Sequence, residues 1–233
     1  MTRANRRFFG VPFVEENPDS LADSWGRGRE SFSILIFTNL SLLWRIVRSR
    51  STKRFLAAYD GRVVPSSPGA GRQVRLATGC RTGAFPELQS LVRIMARVEE
   101  DNAAIYLVGR APDELQRMEQ NVRATFPSAR IVGRVVFHPA NLASITTAIR
   151  KAAPRIVVAS LESPRLFAWL RGNARDLGAV LCVIAPRATA RMAGRKPAPR
   201  LDQILMSPAR ILVAPVLLIH RLVVRRRMKK PTA

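Results

Sequence analysis

A short turn in the middle of the chain has the residue types that bind phosphate. The apolar run 105–108 is followed by Gly109, Arg110, Ala111 and Pro112. Proline suits the first position of a helix, where its missing amide hydrogen costs nothing. The free amides at a helix N-terminus attract anions, and an arginine adds a forked donor for a diphosphate. The pattern predicts a nucleotide-phosphate site, and the alternative is an ordinary strand-to-helix turn with a solvated arginine.

Polar side chains follow two other apolar runs. Thr38 and Asn39 come directly after one run, and Glu162, Ser163 and Arg165 come after another. Ligands of open α/β sheets bind at the carboxyl ends of the strands, so these residues are candidates for substrate binding. The alternative is local, because Thr, Asn and Ser at such positions also cap the helix that follows.

The elements that would position these residues alternate between strand and helix. Short apolar runs without polar alternation predict strands that are covered on both faces. Helical stripes such as Leu42, Leu43 and Ile46 lie between them. This order predicts an α/β fold with a mostly parallel sheet flanked by helices. The predicted strands are 33–38, 62–64, 104–108, 130–136, 155–159 and 180–184.

Composition divides the chain into three parts. The 233 residues contain 47% hydrophobic residues, which is typical of a folded domain rather than a disordered chain. Residues 1–30 are rich in Arg, Pro, Gly and acids, and we expect a loosely packed arm there. Residues 31–199 form the predicted α/β domain, and residues 200–233 form a basic appendage.

The charge indicates an anionic partner. Lys and Arg number 39 against 16 acids, a formal net charge of +23. Basic residues are concentrated towards the C-terminus, where they alternate with apolar ones, and Pro208 and Pro215 interrupt any long helix. We expect short amphipathic helices on an anionic membrane surface; the alternative is that the apolar residues pack on the domain. The predicted membrane-contacting residues are Arg210, Arg221, Arg225, Arg226, Arg227, Lys229 and Lys230.

Several function classes lack support in the sequence. The start of the chain does not resemble a secretory signal, and the apolar runs are shorter than the ~20 residues that span a bilayer. Cys80, Cys182, His138 and His220 have no zinc-site spacing, so the thiols are expected to be reduced, with no metal and no cofactor. We expect a cytoplasmic protein.

The order of these segments is similar to that of one family. The segments that match this family in order and spacing are Phe9–Phe13, Phe37–Asn39, 64–69, Thr78–Gly79, a block from Tyr106 to Gly133, and Ser163–Arg165. The chain resembles the WecG/TagA/CpsF glycosyltransferases from about Phe8 to the C-terminus. The 106–133 block, with its strand, nucleotide turn, helix, Phe-Pro and Ile-Val-Gly, is the most specific match.

The resemblance implies a Rossmann-like, inverting enzyme of surface or exopolysaccharide synthesis. Such an enzyme transfers an N-acetylmannosamine-type sugar from a UDP donor to a polyprenyl-diphosphate-linked acceptor. The basic appendage would hold it peripherally at the inner face of the inner membrane. By this resemblance the substrate-binding residues are Thr38, Asn39, Gly109, Arg110, Ala111, Pro112, Ser163 and Arg165.

The chain departs from the family pattern at its catalytic positions. Ser66 stands where the family has the aspartate of a Pro-Asp-Gly turn, its general base, and a serine hydroxyl cannot accept a proton near neutral pH as a carboxylate can. Arg81 replaces a second acid, and Leu166 and Phe167 replace a Gln-Glu pair. A transferase would need another base; Asp60, Glu87 and Glu162 are available, and we favour Glu162.

Two other readings remain open. The lost acids favour a catalytically inactive pseudoglycosyltransferase that acts as the partner or regulator of a polysaccharide-synthesis enzyme. Its protein partner would be that enzyme or a second copy of the same chain. The charge alone would also suit nucleic-acid binding, but the sequence argues against it, because aromatic residues make up only 6% and no zinc-finger or RNA-binding motif occurs.

Overall fold

The computed structural model of the chain describes residues 7–14, 32–59, 61–79, 84–179 and 181–195. A small antiparallel hairpin comes first, formed by β1 (Arg7–Phe8) and β2 (Val11–Pro12). The strands of the main sheet are β3 (Ser33–Thr38), β4 (Arg62–Pro65), β5 (Ala104–Gly109), β6 (Arg130–Val136), β7 (Ile156–Ala159) and β8 (Leu181–Ile184).

The main sheet has six parallel strands in the spatial order β4-β3-β8-β7-β5-β6. Its α-helices within the described ranges are α1 (Leu40–Arg48), α2 (Arg50–Ala58), α3 (Pro68–Thr78), α4 (Glu87–Glu100), α5 (Pro112–Thr125), α6 (Leu142–Ala152), α7 (Pro164–Asn173) and α8 (Pro186–Met192). A 3-10 turn, Pro139–Asn141, precedes α6.

Helices cover both faces of the sheet and form two apolar layers. Helices α1, α2, α3, α6 and α7 pack on one face, while α4, α5 and α8 pack on the other. The four strands β3, β5, β7 and β8 are buried along their whole length. The lack of polar alternation in these strands follows from this double cover. The predicted α/β architecture with a parallel sheet is confirmed.

The chain path brings distant segments to one edge. The chain runs through β3 and β4 at one side, crosses to β5 and β6 at the other, and returns to fill the centre with β7 and β8. Helix α1 leaves β3 towards one face, whereas α8 leaves the neighbouring β8 towards the other. Helices that diverge in this way leave a crevice at the carboxyl edge of the sheet, where ligands of such folds bind.

Part of the predicted N-terminal arm is well packed. Phe8 and Val11 are fully buried. The rings of Phe8 and Phe9 lie 5.8 and 5.6 Å from that of Trp44 on α1. Val14 N donates to Val63 O at 3.0 Å, so the segment continues along β4. The expectation of a loose arm is therefore wrong for residues 7–14, because their aromatic side chains join the core.

A glycine in β6 makes room for a tyrosine of β5. The pairing of these two strands shifts register between Ile105 and Tyr106, which places Tyr106 opposite Gly133. A Cβ atom at Gly133 would lie 2.5 Å from Tyr106 Cε2. The Ile-Val-Gly pattern of the sequence therefore has a packing role at this position.

We expect Gly133→Ala to lower the free energy of unfolding by about 1 to 3 kcal/mol, because the ring of Tyr106 must move within a packed layer. Gly172→Ala is the matched control. Gly172 lies in α7 with no heavy atom near its virtual Cβ, so alanine there should raise stability by about 0.5 to 1 kcal/mol. Urea denaturation of both variants tests the pair, and equal effects would contradict the packing role of Gly133.

Candidate active site

Thr38 is the last residue of β3 and lies at the carboxyl edge of the sheet, opposite Pro65 of β4. Its side chain is fully buried, and its hydroxyl donates to Val64 O at 3.3 Å. Its carbonyl accepts from Ser66 N at 2.8 Å. Thr38 therefore fixes where the turn after β4 begins. Its hydroxyl is held by protein and is not directed at a ligand in this conformation.

Two of the predicted binding residues cap helices. Asn39 Oδ1 accepts from Leu42 N at 2.8 Å at the start of α1. Ser163 Oγ accepts from Leu166 N at 3.0 Å at the start of α7. The capping alternative raised by the sequence is thus realised at both positions. The side-chain amide nitrogen of Asn39, Nδ2, makes no hydrogen bond to a described residue, and it is the atom of this side chain that a substrate could use.

The turn after β4 contains two serines with different surroundings. Ser67 Oγ accepts from Ala70 N at 3.3 Å and caps α3, which begins with Pro68. Ser66 is buried, and its Oγ makes no hydrogen bond of regular geometry within the described residues. Ser66, where the resemblance predicts the family's aspartate, is therefore enclosed by the fold at the carboxyl edge.

Glu87 supplies a carboxylate next to Ser66. Phe85 N donates to Pro65 O at 2.8 Å, which brings the start of α4 against the end of β4. Glu87 Oε1 accepts from Arg187 N at 2.7 Å and from Ala188 N at 3.0 Å, so it also holds the first turn of α8. Glu87 is only 7% exposed. One carboxylate therefore joins the ends of β4 and β8.

The environment of Glu87 sets its protonation. Burial raises the pKa of this carboxyl above its ordinary 4.5. The amides of Ala188 and Arg187, the charge of Arg187 and the nearby Ser66 hydroxyl act in the opposite direction without cancelling the effect of burial. A carboxylate of this kind is a better proton acceptor than a solvated one.

The predicted phosphate turn follows β5. A Cβ at Gly109 would lie 2.7 Å from Leu115 Cδ2 and 3.2 Å from Ser160 Oγ, so the close contact with α5 requires glycine. Ala111 gives α5 no side-chain cap, and Pro112 is its first residue. Arg110 is exposed and makes no hydrogen bond or ion pair to a described residue. Free amides and a free guanidinium therefore occur together here.

Acidic residues occupy the first turn of the same helix. Asp113 and Glu114 follow Pro112 directly. Glu114 is buried, and its Oε2 lies 3.2 Å from a guanidinium nitrogen of Arg195. That pairing offsets one of the two negative charges near the turn. No local sequence pattern predicts this pair, because its members are 81 positions apart.

The end of β7 contributes Ser160 and the predicted loop. Ser160 Oγ is buried beside Gly109 and has no hydrogen-bond partner among the described residues. Glu162 is half-buried and Arg165 is exposed. Three strand spacings separate β7 from β4, or roughly 14 Å. Glu162, which follows β7, therefore lies nearer to the phosphate turn than Ser66 does.

Several predicted residues lie outside the described ranges. They are Asp60, Cys80, Arg81 and all seven predicted membrane-contacting residues of the C-terminal appendage. Within the described ranges, no helix has both the length and the apolar character that a membrane crossing needs. No three His, Cys, Asp or Glu side chains of that part of the chain are grouped to hold a metal ion. Burial raises the pKa of the Cys182 thiol to about 12, so it stays protonated.

Comparison with known proteins agrees with this architecture. The family model "Glycosyl transferase WecG/TagA/CpsF family" matches residues 6–207. The chain therefore belongs to this family of glycosyltransferases, which implies a place in cell-surface polysaccharide synthesis. A search of curated proteins gives no match.

We expect Glu87→Ala to lower the free energy of unfolding by at least ~2 kcal/mol, because two amides of α8 lose a charged acceptor. Glu87→Gln keeps an acceptor and should cost less. The control is Glu99→Gln on the same helix, where the carboxylate accepts from Ser128 N and from no other described residue, in a more exposed setting. Urea denaturation compares the three variants, and an Ala effect no larger than the control would contradict the clamp role.

The pH dependence of the free energy of unfolding should show the raised pKa of Glu87. Its pKa is raised on folding, so between pH 4.5 and the folded value the native state binds more protons than the unfolded chain. The contribution of Glu87 to the free energy of unfolding therefore falls as pH rises through that window. In Glu87→Gln the fall should be absent, so the variant gains on the wild type as pH increases. A difference that is constant with pH would show that the pKa of Glu87 is not raised.

Proposed function

We propose that the chain transfers a sugar of the N-acetylmannosamine type from a UDP donor to a polyprenyl-diphosphate-linked acceptor. The observation that carries the proposal is the family match across residues 6–207 together with a polar carboxyl edge. At one side of that edge, the buried residues Thr38 and Ser66 lie where β3 and β4 end. At the other side are the free amides of α5 and the side chain of Arg110.

The donor diphosphate is assigned to the 109–112 turn. Arg110 has no partner among the described residues and is exposed to solvent. The first amides of α5 have no side-chain cap. A diphosphate would accept from both, and the helix dipole adds to the attraction. The pairing of Glu114 with Arg195 reduces the repulsion that the acidic first turn would otherwise exert.

Two carboxylates are candidates for the base that the acceptor hydroxyl requires. Glu162 lies in the loop after β7, beside the strand that leads to the phosphate turn. Glu87 lies beside Ser66 and has a raised pKa, but it is buried and bound to two amides. A base at Glu87 would act through the Ser66 hydroxyl, which would take the acceptor proton and pass its own to Glu87. Glu162 would act directly.

The second candidate function is a pseudoglycosyltransferase that regulates or partners another polysaccharide-synthesis enzyme. One observation favours it: the position of the family's aspartate is a buried serine whose hydroxyl is enclosed by the fold. The scaffold around it is intact. A partner protein or a second copy of the chain would then use the site without turnover.

The proposed location is the cytoplasmic face of the inner membrane. The support is the charge of the chain and the basic residues of positions 200–233, which would attract anionic lipid by ~1 kcal/mol each close to the surface. Flotation with anionic vesicles of the full chain and of a chain ending at Arg200 tests this location. Equal flotation of the two would argue for a protein partner instead.

We expect Arg110→Ala to weaken UDP binding roughly 10- to 150-fold, because a charged hydrogen bond to phosphate is lost. Arg117→Ala is the control. Arg117 lies on the same helix, and its Nε donates to Asp113 O, away from the free amides. Calorimetry with UDP measures both. Unchanged binding in Arg110→Ala, or equal losses in the two variants, would show that the diphosphate binds elsewhere.

Sugar transfer tests the two candidate functions directly. The full chain is assayed with UDP-sugars, including UDP-N-acetylmannosamine, and a polyprenyl-diphosphate-linked acceptor analogue. Turnover lost in Glu162→Gln but kept in Glu87→Gln supports a direct base at Glu162, and the reverse supports Glu87. UDP binding without turnover supports the pseudoenzyme. Ser66→Asp is expected not to create activity alone, and a clear rise would show that the rest of the site is intact.

A further inference from the structure

Strand β6 ends beside the predicted phosphate turn. Its last residue, Val136, is the register partner of Gly109, the last residue of β5. The chain then continues alongside the turn, because Phe137 N donates to Gly109 O at 2.8 Å. His138 follows directly at the carboxyl edge of the sheet. A histidine therefore lies one strand spacing, about 5 Å, to the side of the path that leads into the turn.

His138 lies on the side of the sheet that α5 covers. Val136 packs in the layer of α4, α5 and α8. Phe137 packs in the opposite layer, where its ring lies 5.7 Å from that of Trp169. Side chains alternate between the two faces of an extended chain, and the backbone of His138 is extended, with φ -128° and ψ 134°. The imidazole is therefore on the same side as the uncapped first turn of α5.

One ring nitrogen of His138 is engaged and the other is open. Nδ1 accepts from Ala140 N at 3.3 Å and caps the 3-10 turn that precedes α6. With Nδ1 as the acceptor, the proton of a neutral ring is on Nε2, which can donate. Nε2 makes no hydrogen bond or ion pair to a described residue, and the side chain is exposed. His138 therefore offers a free donor beside the turn.

A second polar side chain flanks the turn from β7. Ser160 N donates to Val108 O at 2.8 Å, and Ser160 Oγ lies 3.2 Å from the position of a Cβ at Gly109. Ser160 is only 3% exposed, and its hydroxyl has no partner among the described residues. A buried hydroxyl without a partner costs free energy, and such atoms occur where a ligand completes the hydrogen bonding. The turn thus has a donor on each flank, one from β7 and one from β6.

The charges around His138 favour an anion there. The charged side chains of this corner are Arg110, Asp113 and Arg134, and Arg134 is already paired with Glu119 of α5. Helix α6, which follows the 3-10 turn, has its charged residues only in its last turn. A protonated His138 would offset the negative charge of Asp113. It would also add a second cation to Arg110 at the place where a diphosphate meets the amides of α5.

We infer that His138 binds the diphosphate of the sugar donor together with Arg110 and the first amides of α5. Nε2 donates to a phosphate oxygen in either charge state, and a protonated ring adds an ionic attraction. Histidine ordinarily changes its charge between about pH 5 and 8. Affinity for the donor therefore falls as pH rises through this range, because the bound diphosphate favours the protonated ring. The inference rests on the proposed UDP donor and adds a pH-dependent contact to its site.

Calorimetry of the full chain with UDP-N-acetylmannosamine at about pH 5.5 and about pH 8 tests the inference. Both phosphates of this donor are esterified, so the charge of the donor is constant across the range. We expect the wild type to bind at least about fivefold more tightly at the lower pH, as for a charged hydrogen bond on an exposed side chain. His138→Asn should weaken binding at the lower pH at least about fivefold and remove most of the pH dependence.

The asparagine variant separates ligand binding from capping, because its side-chain oxygen can accept from Ala140 N as Nδ1 does. The matched control is Asn141→Ala in the same turn. The side chain of Asn141 makes no cap hydrogen bond, so this variant should bind like the wild type. His220→Gln removes the other histidine of the chain and should keep the pH dependence. Thermal denaturation establishes that the three variants are folded.

The outcomes separate this inference from the proposed function. Donor binding that is lost in Arg110→Ala but has the same strength and pH dependence in His138→Asn as in the wild type overturns the inference alone. Loss of the pH dependence in His220→Gln, or equal weakening in Asn141→Ala and His138→Asn, also overturns it. Absence of donor binding by the wild type at both pH values overturns the assigned UDP site and the inference with it.

Discussion

The carboxyl edge of this fold depends on one buried carboxylate. Glu87 begins α4, lies against the turn after β4, and accepts hydrogen bonds from the first amides of α8. It thereby links an edge strand to a central strand that is more than 100 residues further along the chain. Buried carboxylates are costly unless they are hydrogen-bonded, and these two amides offset that cost. The shape of the crevice follows from this contact.

The same carboxylate bears on the chemistry of position 66. The resemblance places the family's general base at Ser66, and the carboxylate of Glu87 lies next to this serine. A carboxylate that is committed to two amides can stabilise the fold, take a proton, or do both. The distinction between an active transferase and an inactive scaffold therefore concerns how Glu87 and Glu162 divide these roles, rather than the presence or absence of one aspartate.

The sequence predicts the strands well and the site less well, for physical reasons. Runs such as 33–38 and 104–108 are strands because their apolar character follows directly from burial in a parallel sheet. Asn39 and Ser163 cap helices, an outcome that local sequence allowed but did not select. The contacts of Glu87 with Arg187 and Ala188, and of Glu114 with Arg195, depend on strand order, which no local pattern contains. The packing of Phe8 and Phe9 on Trp44 has the same origin.

The central claim is that the carboxyl edge binds a UDP donor through the turn after β5. Hydrogen-exchange mass spectrometry of the full chain, with and without UDP, measures this most directly, because bound phosphate slows exchange of the amides that it accepts from. The account predicts slower exchange in peptides that contain residues 109–115, where the uncapped amides of α5 lie. Unchanged exchange in those peptides at saturating UDP, or slower exchange confined to other segments, would contradict it.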